Sequence, residues 1–305
     1  MRLVQGCLLL LVLIALPGQL AWAQAFGPIG PEAESGRRQR WLVPSVDGGI
    51  AARALLYRPP GDGPFRLAVI AHASTQNALR RAQMADPDYP ALAALLVARG
   101  FVVLVPERLG HGGTGGRYSE DQGGCAQADY LGSAGATARQ IGIALDFLRG
   151  QSFIAREGAV VIGHSAGGWG ALALAGEDPT KIASIILFAA GRGGHADDAA
   201  GEVCAPERLL AAARVLGEHA RVPVTWLVAA NDSYFPPELS RQLADAFKDS
   251  GGKVGFAVLP ASGDEGHWLV ERDDGVASAA EALARALQVG AITDRKGRAK
   301  MSRSR

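Results

Sequence analysis

Residues 160–170 read VVIGHSAGGWG, a β-branched run that drives straight into a serine set among small residues. Burial alone gives no reason for glycine at both 163 and 167 around Ser165. A strand feeding a helix through a tight turn does give one, because such a turn lifts the serine hydroxyl above the end of the strand. The bare pattern G-x-S-x-G is weak in a chain with 40 glycines. Its weight depends on a strand before it, a helix after it, and a base and an acid arriving from elsewhere.

The flanking sequence supplies the strand and the helix. WLVPSV (41–46) and ARALLYRP (52–59) predict two antiparallel strands about the DGG turn at 47–49. RLAVIAH (66–72) is apolar throughout, as a strand buried on both faces should be. YPALAALLVARG (89–100) repeats its apolar residues at helical spacing and stops at glycine. Strands are expected next at 101–107, 159–163, 182–190, 222–230 and 253–260. Helices are expected at about 128–149, from Ser165, and at 206–219, 236–250 and 276–288. Eight strands alternating with helices make an α/β fold: a mainly parallel sheet with helices on both faces, in one domain over 41–290. In such a sheet the chemistry gathers beyond the carboxyl ends of the strands.

A serine hydroxyl needs a base, and an imidazole base needs a carboxylate to fix its tautomer. Six histidines are available, and position sorts them. His164 lies inside the turn and reads as a packed, hydrogen-bonded residue. His72 ends a buried strand and shapes the loop that follows, while His111 and His195 are in glycine-rich loops. His219 closes a helix, where a cation suits the dipole. His267, in ASGDEGHWLV, follows the last strand and is the expected base. Asp232, just past the strand in WLVAANDSYFPPELS, is the expected acid, giving the chain order Ser, Asp, His. Asp264 and Glu265 are rivals too near His267 in the chain to reach its far nitrogen. No His/Cys/Asp cluster has metal-ligand spacing, and no G-x-G-x-x-G or phosphate loop is present, so neither metal nor nucleotide cofactor is expected.

Together GHSAGG (163–168), NDSYF (231–235) and GDEGHW (263–268) give the chain a resemblance to the α/β-hydrolase superfamily. More narrowly, it resembles the dienelactone-hydrolase-like branch over roughly 41–290. The resemblance implies Ser165 as nucleophile, Asp232 as acid and His267 as base. AHAS (71–74) matches the oxyanion loop, which implies that the N–H of Ser74, or alternatively Ala73, works with that of Ala166. Relatives of the dienelactone type carry cysteine where this chain has Ser165, which points to ordinary ester chemistry. Ala73 stands where glycine is frequent and HGGG is absent, which disfavours the hormone-sensitive-lipase type. The implied activity is cleavage of a small-molecule carboxylic ester through an acyl-enzyme. Amide or peptide hydrolysis and acyl transfer share the same triad, and a non-catalytic binding protein of this fold is the reading from another class.

Composition and ends complete the expectation. A hydrophobic fraction of 48% and charged fraction of 20% are globular values, and a net charge of +1 gives no argument for nucleic acid or an acidic partner. Arg2, the run CLLLLVLIALPG (7–18) and AWA (21–23) predict a signal peptide over 1–23, with export to the periplasm or medium and no stable membrane anchor after cleavage. Residues 24–40 read as a flexible segment. The stretch 291–305, with TDRKGRAKMSRSR, reads as a basic, disordered tail. Cleavage leaves Cys125 and Cys204, an even count that predicts one disulfide in an oxidising compartment. In the strand order the resemblance implies, that bridge spans the mouth of the site. Trp169, Tyr234, Phe235 and Trp268 are candidate pocket residues beside the triad. Arg108 and Arg192 read as solvated, with a substrate carboxylate as the alternative.

Overall fold

The computed structural model describes residues 26–302, with side chains to residue 288, so the segment assigned as a signal peptide lies outside the described residues. The chain begins with β1 (Gly27–Ile29), β2 (Gln39–Val43), β3 (Ala52–Tyr57) and β4 (Arg66–Ala71). It continues with the short α1 (Ala78–Ala82), α2 (Pro90–Val97), β5 (Phe101–Pro106), α3 (Tyr130–Arg149), β6 (Ala159–His164) and α4 (Ala166–Ala173). Then come β7 (Ile182–Phe188), α5 (Pro206–Glu218), β8 (Val224–Ala229), α6 (Pro237–Asp249), β9 (Val254–Leu259) and α7 (Asp273–Ser302).

All strands join one sheet in the order β1-β2-β3-β5-β4-β6-β7-β8-β9. The pairs β1–β2, β2–β3 and β3–β5 are antiparallel, and the pairings from β5 through β4 to β9 are parallel. The continuous apolar runs now have their cause. In β4, Leu67, Val69 and Ala71 face a core shared with α3, α4 and α6, while Ala68 and Ile70 face one shared with α2 and α7. Both faces are covered, and β5, β6 and β7 are buried at every position.

Two segments differ from expectation. Among the described residues the sheet has nine strands, because part of the segment read as flexible forms β1, which pairs Pro28 with Trp41 at the sheet edge. Three residues between glycines and prolines are too few to show an alternation. At the other end α7 runs on to Ser302, through most of the stretch read as a disordered tail. Arg, Lys, Ala and Met are good helix formers, and no proline interrupts them.

The sheet order positions the site. The strand order reverses about β4, with β5 on one side and β6 on the other, and Ala71 pairs with Gly163. Residues 72–74 therefore leave the sheet beside Ser165, at the end where this architecture binds ligands.

Candidate active site

Ser165 is the hinge between β6 and α4 and has φ 55°, ψ −123°, a conformation that a side-chain-bearing residue adopts only when its surroundings enforce it. Its N–H donates to Phe188 C=O at 3.0 Å, and its own C=O accepts from Trp169 N–H at 2.9 Å. The flanking glycines are there for space. A Cβ on Gly163 would stand 2.4 Å from Gly168 Cα, and one on Gly167 would stand 2.3 Å from both the Ala71 and His72 carbonyl oxygens. Any side chain at either position would push the turn off the sheet.

His267 and Asp232 meet at this end of the sheet. Asp232 follows β8, and its Oδ1 accepts the N–H groups of Tyr234 and Phe235, each at 2.9 Å. Both carboxylate oxygens lie 3.3 Å from His267 Nδ1, and both side chains are buried. A carboxylate accepts only, so Nδ1 carries the proton and Nε2 is left as the basic nitrogen. Burial holds the His267 imidazole below its ordinary range, and the hydrogen bond to Asp232 works against that. The ring is therefore neutral at pH 7 and able to take a proton. Glu265, the rival acid, is engaged with Ser233 and with the His267 N–H at 2.9 Å rather than with the ring. Ser165 and His267 line one cavity of about 770 Å³, and no hydrogen bond links their side chains.

On the loop after β4, Ala73 N–H is committed to Tyr89 Oη at 3.3 Å. The amides of Ser74 and Ala166 have no protein acceptor among the described residues; Ala166 is the first residue of α4, where none exists within the helix. The Ser74 hydroxyl lies 2.7 Å from His111 Nε2. His111 Nδ1 is 3.1 Å from the carbonyls of Arg108 and Leu109, so it carries the hydrogen there. Burial, with Arg108 nearby, lowers this imidazole to about 4. A neutral His111 thus accepts from Ser74, and the loop is pinned by its side chain while its amide stays free.

Among the aromatic candidates, Tyr234, Phe235 and Trp268 line the cavity. Tyr234 stacks on the His267 ring at 4.2 Å, with His195 stacked on its other face at 3.5 Å. Trp169 does not belong with them. One turn into α4, it points at α3, is wholly buried, and donates from Nε1 to Tyr130 C=O at 2.9 Å. The arginines also differ from expectation. Arg108 and Arg192 are buried around Glu120, with Arg192 Nη2 2.8 Å and Arg108 Nη2 3.3 Å from Oε2. Gln140 Nε2 donates to the other carboxylate oxygen at 2.9 Å. Burial would raise the Glu120 carboxyl, but the two guanidiniums hold it at about 2. Glu120 lies in the polar loop GRYSEDQGG, whose composition reads as solvated, so the sequence carries no signal for it. Cys125 and Cys204 are bonded, with Cα atoms 5.0 Å apart. The bridge joins the loops after β5 and β7 across the ends of β4 and β6.

A mostly parallel sheet with a strained serine elbow beyond its central strand is the α/β-hydrolase architecture. The chain belongs to the dienelactone hydrolase family, whose model matches residues 87–289. Solved structures agree on the fold. An esterase from Pyrococcus furiosus superposes with a TM-score of 0.57 at 13% identity, covering 82% of this chain and 91% of that one. A cold-adapted esterase from an Arctic intertidal metagenomic library gives 0.52 at 16%, covering 86% and 99%. The acylaminoacyl peptidase of Pyrococcus horikoshii gives 0.57 at 14%, covering 82% of this chain and 41% of that one. No curated protein matches the sequence.

Proposed function

We propose that this hydrolase cleaves a carboxylic ester through an acyl-enzyme, with Ser165 as nucleophile, His267 as general base and acid, and Asp232 orienting His267. The observation that carries the reading is the buried Asp232–His267 pair on the same cavity as a serine held at positive φ. Ser165 Oγ attacks the ester carbonyl as its proton passes to His267 Nε2, and Asp232 stabilises the imidazolium formed. The negative charge on the carbonyl oxygen is met by the amides of Ser74 and Ala166, which have no acceptor within the protein. The Ala73 amide is not used, since Tyr89 holds it. His267 then returns the proton to the leaving alcohol, and water repeats the sequence to release the acid.

Export is part of the proposal. A Cys125–Cys204 bridge suits an oxidising compartment, and among the described residues no helix is long and apolar enough to cross a membrane. The test is intact-mass labelling with a fluorophosphonate, followed by a panel of esters and the matching amides. One adduct per wild-type chain and none on Ser165→Ala is the expected result. A folded wild type that takes no label overturns the reading and leaves a binding protein of the same fold. Amides cleaved as fast as esters would move the assignment to a peptidase.

A further inference from the structure

His164 immediately precedes Ser165, is buried, and has no place in the chemistry described above. Its Nε2 lies 2.8 Å from the backbone carbonyl of His267, so it donates there. Its Nδ1 lies 3.2 Å from Glu271 Oε1 and 3.2 Å from Tyr89 Oη. Tyr89 Oη in turn accepts the Ala73 N–H and stands 3.5 Å from the same Glu271 oxygen. One imidazole thus touches the loop that carries the base and, through a tyrosine, the loop that carries the Ser74 amide, while being bonded in sequence to the nucleophile.

We propose that His164 and Glu271 are positioning residues: together they hold the His267 carbonyl and the Tyr89 hydroxyl, keeping the base loop and the oxyanion loop in register with Ser165. The backbone of His267 is then fixed at both ends, its N–H by Glu265 and its C=O by His164. Packing alone needs no carboxylate here, because an apolar side chain would fill the same space. With hydrogen on both ring nitrogens, as a carbonyl and a carboxylate that both accept require, the carboxylate–imidazole–carbonyl chain adds direction, since each hydrogen bond restricts an angle as well as a distance. Burial would raise the Glu271 carboxyl, yet its hydrogen bonds to His164 and Tyr89 keep it below its ordinary range. The residue is therefore a carboxylate throughout the neutral range.

The proposal rests on the roles given to Ser165 and His267, and the experiment separates the two. Glu271→Ala, Glu271→Gln and His164→Asn are compared with wild type for the second-order rate of fluorophosphonate labelling and for kcat and KM on p-nitrophenyl acetate. Displacement of reacting groups by a fraction of an ångström lowers turnover while leaving ground-state binding intact. Glu271→Ala and His164→Asn are expected to lose about tenfold or more in labelling rate and kcat, with KM within about twofold. Glu271→Gln, which keeps an oxygen acceptor, is expected to fall between Glu271→Ala and wild type. The Glu271 side chain is 39% exposed, so its variants should fold even if His164→Asn does not. Wild-type labelling rates in Glu271→Ala, or a loss wholly in KM, overturn the proposal. A wild type that takes no label overturns the serine-hydrolase reading and this proposal with it.

Discussion

At the scale of single residues, the base proposed above, His267, sets the expected pH dependence. His267 must be unprotonated to act, and burial lowers it while Asp232 opposes the shift. The acid limb of the kcat/KM profile is therefore expected to have its midpoint below pH 6.5, the ordinary histidine value. Asp232→Asn removes the opposing contribution, so any residual activity should extend to still lower pH, with kcat down by about 10⁴. A pH–rate series on both proteins checks both statements. The three proposed triad positions could be named from the sequence because each follows a strand, and the chain order offers one serine, one acid and one histidine for the roles. Trp169 was misread because nearness to Ser165 in sequence says nothing of direction. A residue one turn into α4 faces α3, and only the helix axis reveals that.

At the scale of elements, the β6–α4 elbow works because its glycines let backbone touch backbone. Gly167→Ala would drive a methyl into the Ala71 and His72 carbonyls at 2.3 Å, and a loss of about 1–3 kcal/mol in urea unfolding is expected. Activity should fall too, because those carbonyls belong to the loop that leads to Ser74. The buried cluster of Arg108, Glu120 and Arg192 ties the β5 and β7 loops together. Glu120→Gln leaves two guanidiniums without their counter-charge, and a cost of about 3–5 kcal/mol is expected at pH 7. Its pH sign follows from the depressed carboxyl. An unfolded Glu120 binds its proton near 4.5 and a folded one at about 2. The stability it contributes is thus complete above about pH 4.5 and is lost as pH falls towards 2. Wild type should show this loss in acid unfolding curves, and Glu120→Gln should show less of it. None of this was legible beforehand. A charged residue looks the same in a loop whether water or two arginines surround it, whereas the parallel strands declared themselves as nearly continuous apolar runs.

At the scale of the whole molecule, the disulfide ties together parts of the chain that lie 79 residues apart. Closing a loop of that length removes unfolded-state entropy worth about 4–5 kcal/mol at most. Replacing both cysteines by serine is therefore expected to lower the melting temperature clearly. The elbow and the Asp232–His267 pair lie outside the bridge itself, so hydrolase activity at room temperature should largely remain. The same bond has a topological consequence. Residues 125–204 form a covalent ring that contains β6, α4 and Ser165, and the cavity wall from Gly191 to Asp198 belongs to it. A protease that cuts a single exposed turn within the ring opens the circle without releasing a fragment. Such a nicked protein should run as one band on a non-reducing gel and as two after reduction. Ser165 stays covalently linked to both pieces through the bridge, so in a protease-rich surrounding this hydrolase is expected to survive a first cut that would separate an unbridged chain into pieces.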